Sequence, residues 1–362
     1  MIYLDYAATA PMTDVALKTY VEVAQKYYGN SASLHDAGGQ ANYYVEAARR
    51  VIADKLGVST DGIVFTGSGT EGNLLAIVTL AKSAKKGKHI ITYQAEHTSV
   101  HAAMNVLEQQ GFEITRLPLL ATGDIDLQQL RASIRPNTAL ISLQHVNSEI
   151  GMIFPIAKVA TIAKETGTLL HVDCVQSFCK LPIATFAGDV DAITVSAHKI
   201  GGPKGCGAVY INPRLNVHSI TPGVTHERGL RGGTLDTPAI VAFAAAVEHS
   251  VYSKEHCERL RAFLLSNLPE AYEMIACKNQ LPTICSLFSK KYEGQFVLLK
   301  LNDAGIYIST GSACDIRNES GTKAVMAMGH TMSDARKFFR ISFSSETTIE
   351  QLEKLLEVLK RM

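Results

Sequence analysis

The sequence predicts an α/β fold: a large unit with a mainly parallel seven-stranded sheet flanked by helices, joined to a smaller α+β unit. Three observations predict it. Short, largely β-branched apolar runs recur at residues 63–65, 89–92, 113–117, 139–143, 169–172, 192–195 and 207–211. Stretches of helical crossover length separate most of them, and that alternation builds a parallel sheet covered on both faces. After about residue 255 the order changes to helix, strand, strand and helix, the pattern of a separate, smaller layer.

Taken in order, residues 1–12 read as an extended arm with a turn at Ala10-Pro11, expected to return to the smaller unit. An amphipathic helix follows over 13–28, then a polar loop, Gly29-Asn30-Ser31-Ala32-Ser33, then a helix rich in Ala and Arg that runs to about residue 56. The seven strand runs come next, and the last, 207–211, reads as an antiparallel strand at the sheet edge. A Gly-rich stretch at 229–233 and an Ala-rich helix near 237–253 close the large unit. The domain division expected from this pattern is 13–254 for the large unit, and 1–12 with 255–362 for the small one. There are no internal repeats and no low-complexity segments.

Composition narrows the partners. Apolar residues at 46% and charged residues at 19% of 362 suit a soluble globular chain with ample core. Thirty-five basic against 34 acidic side chains give a net charge of +1, which argues against a nucleic-acid or membrane partner chosen by bulk charge. The N-terminus lacks the basic and apolar regions of a signal peptide, and no apolar run reaches membrane-spanning length. Seven cysteines, an odd number without a C-x-x-C pair, suit reduced thiols and hence a cytoplasmic location.

Several short segments carry chemistry. Lys199 ends the run Ser196-Ala197-His198-Lys199 at a strand end, just before a Gly/Pro loop. Only a neutral lysine attacks an aldehyde, so such a site must lower its pKa, and His198 and Lys204 are local sources of positive charge. The alternative is a surface lysine that closes a strand. The stretch Thr66-Gly67-Ser68-Gly69-Thr70-Glu71 joins a strand to a helix and offers backbone N–H groups to an anion such as phosphate; an ordinary capped helix start is the competing reading. Asp173 stands at the end of an apolar strand with Gln176 three residues on, as pyridoxal phosphate enzymes place an acid against the pyridinium nitrogen; a helix cap is the alternative. His97 is a candidate to stack on a flat ring or move protons, and Asn147 lies just past a strand where turn asparagines also occur. Cys314, in Gly311-Ser312-Ala313-Cys314, is a thiol in a small-residue loop. Arg340 sits within an apolar strand, where a buried guanidinium needs an anion, either a substrate carboxylate or an internal acid.

The order of these segments closely resembles the NifS/IscS-type cysteine desulfurases, which are class-V aminotransferase-like enzymes of PLP fold type I. The resemblance runs through Tyr3-Leu4-Asp5-Tyr6-Ala7-Ala8-Thr9, Gly29-Asn30-Ser31-Ala32-Ser33, Glu96-His97 and His145-Val146-Asn147-Ser148-Glu149-Ile150-Gly151. It continues through His171-Val172-Asp173, Ser196-Ala197-His198-Lys199, Gly202-Pro203-Lys204-Gly205, the segment 226–234 and Gly311-Ser312-Ala313-Cys314, and so spans nearly the whole chain.

The resemblance implies that Lys199 carries pyridoxal 5'-phosphate covalently and later shuttles protons. It also implies that His97 stacks on the ring and acts in acid/base steps, that Asp173 pairs with the ring nitrogen, and that Gln176 and Asn147 meet the phenolic oxygen. Gly69, Thr70, Ser196 and His198 would hold the phosphate, and Thr234 would reach the phosphate of the other subunit of a homodimer. Arg340, with Asn30 nearby, would bind the carboxylate of L-cysteine. Cys314 would then take the substrate sulfur as a persulfide, release alanine and pass the sulfur to an acceptor protein or enzyme. Iron-sulfur assembly, tRNA thiolation and supply to one dedicated enzyme are all open destinations. The runner-up activity is a selenocysteine lyase or a related class-V aminotransferase; a sulfur-relay protein without catalysis and a cysteine protease fit Lys199 and Cys314 less well. One departure stands out: Leu74 occupies a position where the family commonly has asparagine.

Overall fold

A computed structural model describes residues 1–310 and 322–362 of the chain. Its centre is a seven-stranded sheet in the order Ile63–Thr66, Gly207–Ile211, Ala192–Ser196, Leu169–Asp173, Thr138–Gln144, His89–Tyr93 and Glu113–Leu117. The last five run parallel, and Gly207–Ile211 pairs antiparallel with both its neighbours. The α/β class and the seven strands agree with the sequence pattern. The edge position expected for 207–211 does not: that strand lies second in the order, between Ile63–Thr66 and Ala192–Ser196. Its five residues, Gly-Ala-Val-Tyr-Ile, are all buried and offer no charge to face water, so pairing on both sides suits them better than an exposed edge.

The real edges are managed differently. Glu113–Leu117 is only partly buried and carries a charged residue at its start. Ile63–Thr66 is fully buried because Glu227 folds over it: a Glu227 oxygen accepts the Phe65 N–H at 2.6 Å, while Arg49 donates to the Ile63 carbonyl at 2.9 Å. Helices pack on both faces of the sheet. Asp14–Lys26 starts with the Thr13 hydroxyl accepting from Ala16 N, and Asp36–Leu56 stops at Gly57, whose φ of 73° supplies the left-handed cap. The Ala-rich helix Thr237–Glu248 lies against both.

The N-terminal arm returns as expected: Ile2–Tyr3 pairs in parallel with Ile306–Tyr307, and Asp5 bridges to Ser342. A three-stranded antiparallel sheet, Phe338–Ser342, Ile284–Ser289 and Tyr272–Met274, carries helices Lys254–Ser266, Gly294–Asp303 and Ile349–Arg361. Only glycine fits at 294, where a Cβ would lie 1.9 Å from the Phe338 carbonyl oxygen, so that helix rests directly on the strand holding Arg340. Leu4 of the arm joins Leu260, Phe339, Ile341 and Leu352 in the core here, whereas Ile275, Ala324, Val325 and Phe338 pack into the core under the large sheet. No helix among the described residues is long and apolar enough to cross a membrane.

Candidate active site

In an open parallel sheet, the carboxyl ends of the strands leave a crevice in which ligands bind. Here that end presents Asp173, Ser196 and Gln144, each the last residue of its strand, around a cavity of about 180 Å³. The helix Gly69–Ser83 points its N-terminus into the same space. Ser68 caps it by accepting Glu71 N–H at 3.1 Å, which leaves the Gly69 and Thr70 N–H groups of the first turn for an anion. Gly69 lies close against the site: a Cβ there would stand 3.0 Å from Val175 Cγ2 and 3.3 Å from Ser196 Cβ. The Ser196 hydroxyl is buried and has no partner. Together these make a donor-lined pocket for a phosphate-like group.

On the other side of the cavity, Asp173 accepts the Val175 N–H at 2.9 Å on one oxygen and the Asn73 amide at 2.7 Å on the other. Asn73 also donates to Ser99 Oγ at 2.9 Å, and that hydroxyl lies 2.7 Å from His97 Nδ1. His97 caps the helix Thr98–Glu108, its Nδ1 accepting the Ser99 N–H at 3.2 Å. The adjacent Glu96 is wholly buried, accepts Gln144 N–H at 3.1 Å, and has its carboxyl pushed well above the usual range by burial.

Lys199 follows the Ala192–Ser196 strand by a single helical turn. Its Nζ donates to the Ala7 and Ala8 carbonyls at 2.7 and 2.8 Å, which ties the N-terminal arm across the cavity. Burial, aided by the positive charges of Arg340 and Lys180, lowers its pKa to about 7. The sequence pointed to His198 and Lys204 as the cations. The distant Arg340 and Lys180 supply the charge instead, because the fold and not the chain order brings them near. His198 lies in the cavity wall with Nδ1 3.0 Å from Thr9 Oγ1, and burial followed by the nearby lysines holds it down at about 4, so it is neutral at pH 7.

Arg340, 2% exposed, donates from Nη1 to the Ser148 carbonyl at 2.7 Å and from Nη2 to Asp5 at 2.8 Å, which leaves its Nε buried without a partner. Both partners considered for it from sequence are therefore compatible: Asp5 satisfies part of the fork, and the guanidinium still lines the cavity.

The cavity thus brings together Gly69, Thr70, His97, Asp173, Gln176, Ser196, His198, Lys199 and Arg340. Three other expected residues lie outside its lining. Asn147 spends its amide on the turn, donating to Ala95 O at 3.0 Å and accepting Glu149 and Ile150 N–H, both at 2.9 Å. Asn30 is exposed, its side chain accepting Ala32 N–H at 3.0 Å, and Thr234 is exposed. Cys314 lies outside the described residues. Gln176 donates to Ala7 O at 2.8 Å while its Oε1 is buried without a partner. Sequence reading missed Asn73, Ser99 and Asp5. Asn73 had a signal, since it stands three residues after Thr70 and so shares its helix face. Ser99 and Asp5 had none, because their partners are set by tertiary packing. Among the described residues no cluster of His, Cys, Asp and Glu suits a metal ion.

Comparison with known proteins gives the family. The aminotransferase class-V family model matches residues 2–355. A NifS protein of Bacillus subtilis is 44% identical, covering 98% of this chain and 93% of its own, and a cysteine desulfurase of a Nostoc species is 35% identical over 99% and 92%. A solved NifS-like protein superposes with a TM-score of 0.92 at 32% identity, over 99% of this chain and 98% of that one.

Proposed function

Because the chain belongs to the aminotransferase class-V family, and within it to the cysteine desulfurases of the NifS and IscS type, we propose that it is a PLP-dependent enzyme that converts L-cysteine to L-alanine. The observation that carries this reading is one cavity uniting an amine with a pKa near 7, a strand-end carboxylate, an anion-binding helix start and a buried arginine.

The residues present fit pyridoxal phosphate. The unpartnered Ser196 hydroxyl, Thr70 and the first-turn N–H groups, beside a glycine where a side chain would intrude, would hold the phosphate. Asp173, fixed by two N–H donors, would face the ring nitrogen, and His97 the ring. When bound, the cofactor supplies an electron sink that acidifies the Cα–H of a joined amino acid.

The chain's own groups do the rest. With its pKa lowered to about 7, Lys199 is readily neutral around neutral pH, so its amine can make the covalent link once it leaves the Ala7 and Ala8 carbonyls, and afterwards Nζ can carry a proton. Arg340 fixes the substrate carboxylate and hence the orientation of the molecule. Cys314 attacks the substrate sulfur: the new S–S bond forms as the C–S bond breaks, the electron pair goes to the carbon side, and alanine leaves after protonation. Supporting this choice of nucleophile, all six described cysteines are free but buried or half-buried, and burial raises every one of their thiol pKa values, so few exist as thiolate.

Further parts of the reading follow the family. Residues 13–254 and the remainder act as large and small domains, two copies form a homodimer in which Thr234 reaches the neighbour's phosphate site, and the enzyme works in the cytoplasm on behalf of a sulfur acceptor. The test is to reconstitute the protein with PLP, supply cysteine and a thiol, and measure alanine. Equal alanine and sulfide are expected, with Cys314→Ser still coloured and still binding cysteine yet releasing no sulfide. Wild-type protein that takes up PLP and makes no alanine overturns the activity; a Cys314→Ser variant with undiminished turnover overturns the nucleophile.

A further inference from the structure

We propose that Asn73 and Ser99 are positioning residues that keep His97 Nδ1 an acceptor, with the ring proton on Nε2, and that Asn73 links this ring to Asp173 by donating one N–H to the carboxylate and the other to Ser99.

The direction follows from what each group can donate. Asp173 carboxylate oxygens only accept, so the Asn73 atom 2.7 Å away is its NH₂. The second hydrogen of that NH₂ goes to Ser99 Oγ at 2.9 Å. Ser99 Oγ lies 2.7 Å from His97 Nδ1, and because that nitrogen already faces a backbone N–H, which can only donate, the hydroxyl points its own hydrogen at it. Nδ1 also accepts the Ser99 backbone N–H at 3.2 Å, as the cap of the helix Thr98–Glu108. Twice an acceptor, Nδ1 carries no proton in the neutral ring, which places the ring proton on Nε2.

All of the links are shielded from water: Asn73 is 1%, Ser99 5% and Asp173 6% exposed. In such surroundings an unmade bond is costly, so the orientation is held firmly. The chemical consequence is that His97 begins as a proton donor at Nε2. It takes a proton at Nδ1 only by giving up the helix cap and reversing the Ser99 hydroxyl, which then accepts. The same amide fork holds Asp173, so one asparagine sets that carboxylate and the imidazole together.

This inference rests on the proposed role of His97 as a proton-handling group, yet its primary readout does not need turnover. In PLP-reconstituted protein labelled with ¹⁵N-histidine, the His97 signals, identified among 12 histidines by their loss in His97→Gln, report which nitrogen bears hydrogen. The Nε2–H form is expected in the wild type. Ser99→Ala should let the Nδ1–H form or the doubly protonated ring appear and should lower kcat about tenfold, as befits one lost hydrogen bond, with KM for cysteine little changed. Ser99→Thr, which keeps the hydroxyl, should restore both. A wild-type ring with hydrogen on Nδ1, or a Ser99→Ala protein whose ring nitrogens match the wild type, overturns the proposal. A wild type that shows the Nε2–H ring but forms no alanine overturns the desulfurase reading and leaves the positioning role standing.

Discussion

At Lys199 the side chain is short of water and near two cations, and both effects favour the neutral amine. The sign sets a pH dependence: the folded protein releases this proton near pH 7 instead of near 10.5, so the reactive fraction rises through neutrality and then saturates. Covalent uptake of PLP, followed as growth of visible absorbance, should accelerate from pH 6 to about 8 and then level off. A rate still climbing tenfold per unit through pH 9 would mean an ordinary lysine. Arg340 offers a second test. A hydrogen bond to a charged group contributes about 1.5 to 3 kcal/mol, so Arg340→Ala should raise KM for cysteine by about 10- to 150-fold while PLP absorbance persists. Arg340→Lys, which keeps the charge but loses the fork, should fall between, and an unchanged KM in both would remove the carboxylate role. Lys199, Asp173 and Arg340 were legible in the sequence because each is a charged residue at or within an apolar strand, a placement that burial penalises. Asp5, Ser99 and Asn73 are ordinary polar residues in ordinary places, and only contacts between distant segments give them work.

At the scale of elements, the strands were readable because their apolar runs are short and evenly separated; their order was not. The run 207–211 looked like a late addition at the edge, yet the chain inserts it beside Ala192–Ser196 and leaves Ile63–Thr66 outermost. What protects that outer strand is the turn Glu227–Gly229, in which Glu227, Arg228 and Gly229 all have positive φ, at 45°, 58° and 78°. Two consecutive non-glycine residues in this region are strained, and the surroundings must compensate. Arg49 does so with a two-pronged pair to Glu227, at 2.8 and 2.9 Å, both side chains at most 5% exposed. The same turn leads to Arg231, which reaches Glu71 at 2.9 Å beside the phosphate pocket. Removing one partner of a buried pair typically costs about 3 kcal/mol or more. Glu227→Ala should therefore lower the unfolding free energy by roughly that amount in a denaturant titration, and at a folded concentration of protein should weaken PLP binding, since the strand it covers leads straight into the anion turn. A loss under about 1 kcal/mol would show that the turn holds itself.

For the molecule as a whole, the change of pattern near residue 255 was visible, and so was the return of the arm, but the closeness of the two layers was not. Phe338 sits in the core under the large sheet while Phe339 and Ile341 of the same strand sit in the other, so the strand bearing Arg340 is shared between cores. Alternation along one strand is what permits this, because successive side chains point to opposite faces. The cavity consequently draws its walls from the arm, the large sheet and the Arg340 strand together, and an occupant touching all three binds only the folded chain. By mass action such a ligand stabilises the native state, by about 2.7 kcal/mol at 100 times its dissociation constant. Saturating PLP should therefore raise the melting temperature of the cofactor-free protein by several degrees. Pyridoxal lacking the phosphate should raise it less, since it leaves the Ser196 hydroxyl and the helix start unused, and Lys199→Ala should reduce the effect of PLP by removing the covalent link. If pyridoxal matched PLP, the phosphate pocket would be misassigned, and if neither shifted the transition, the cavity would not be a cofactor site.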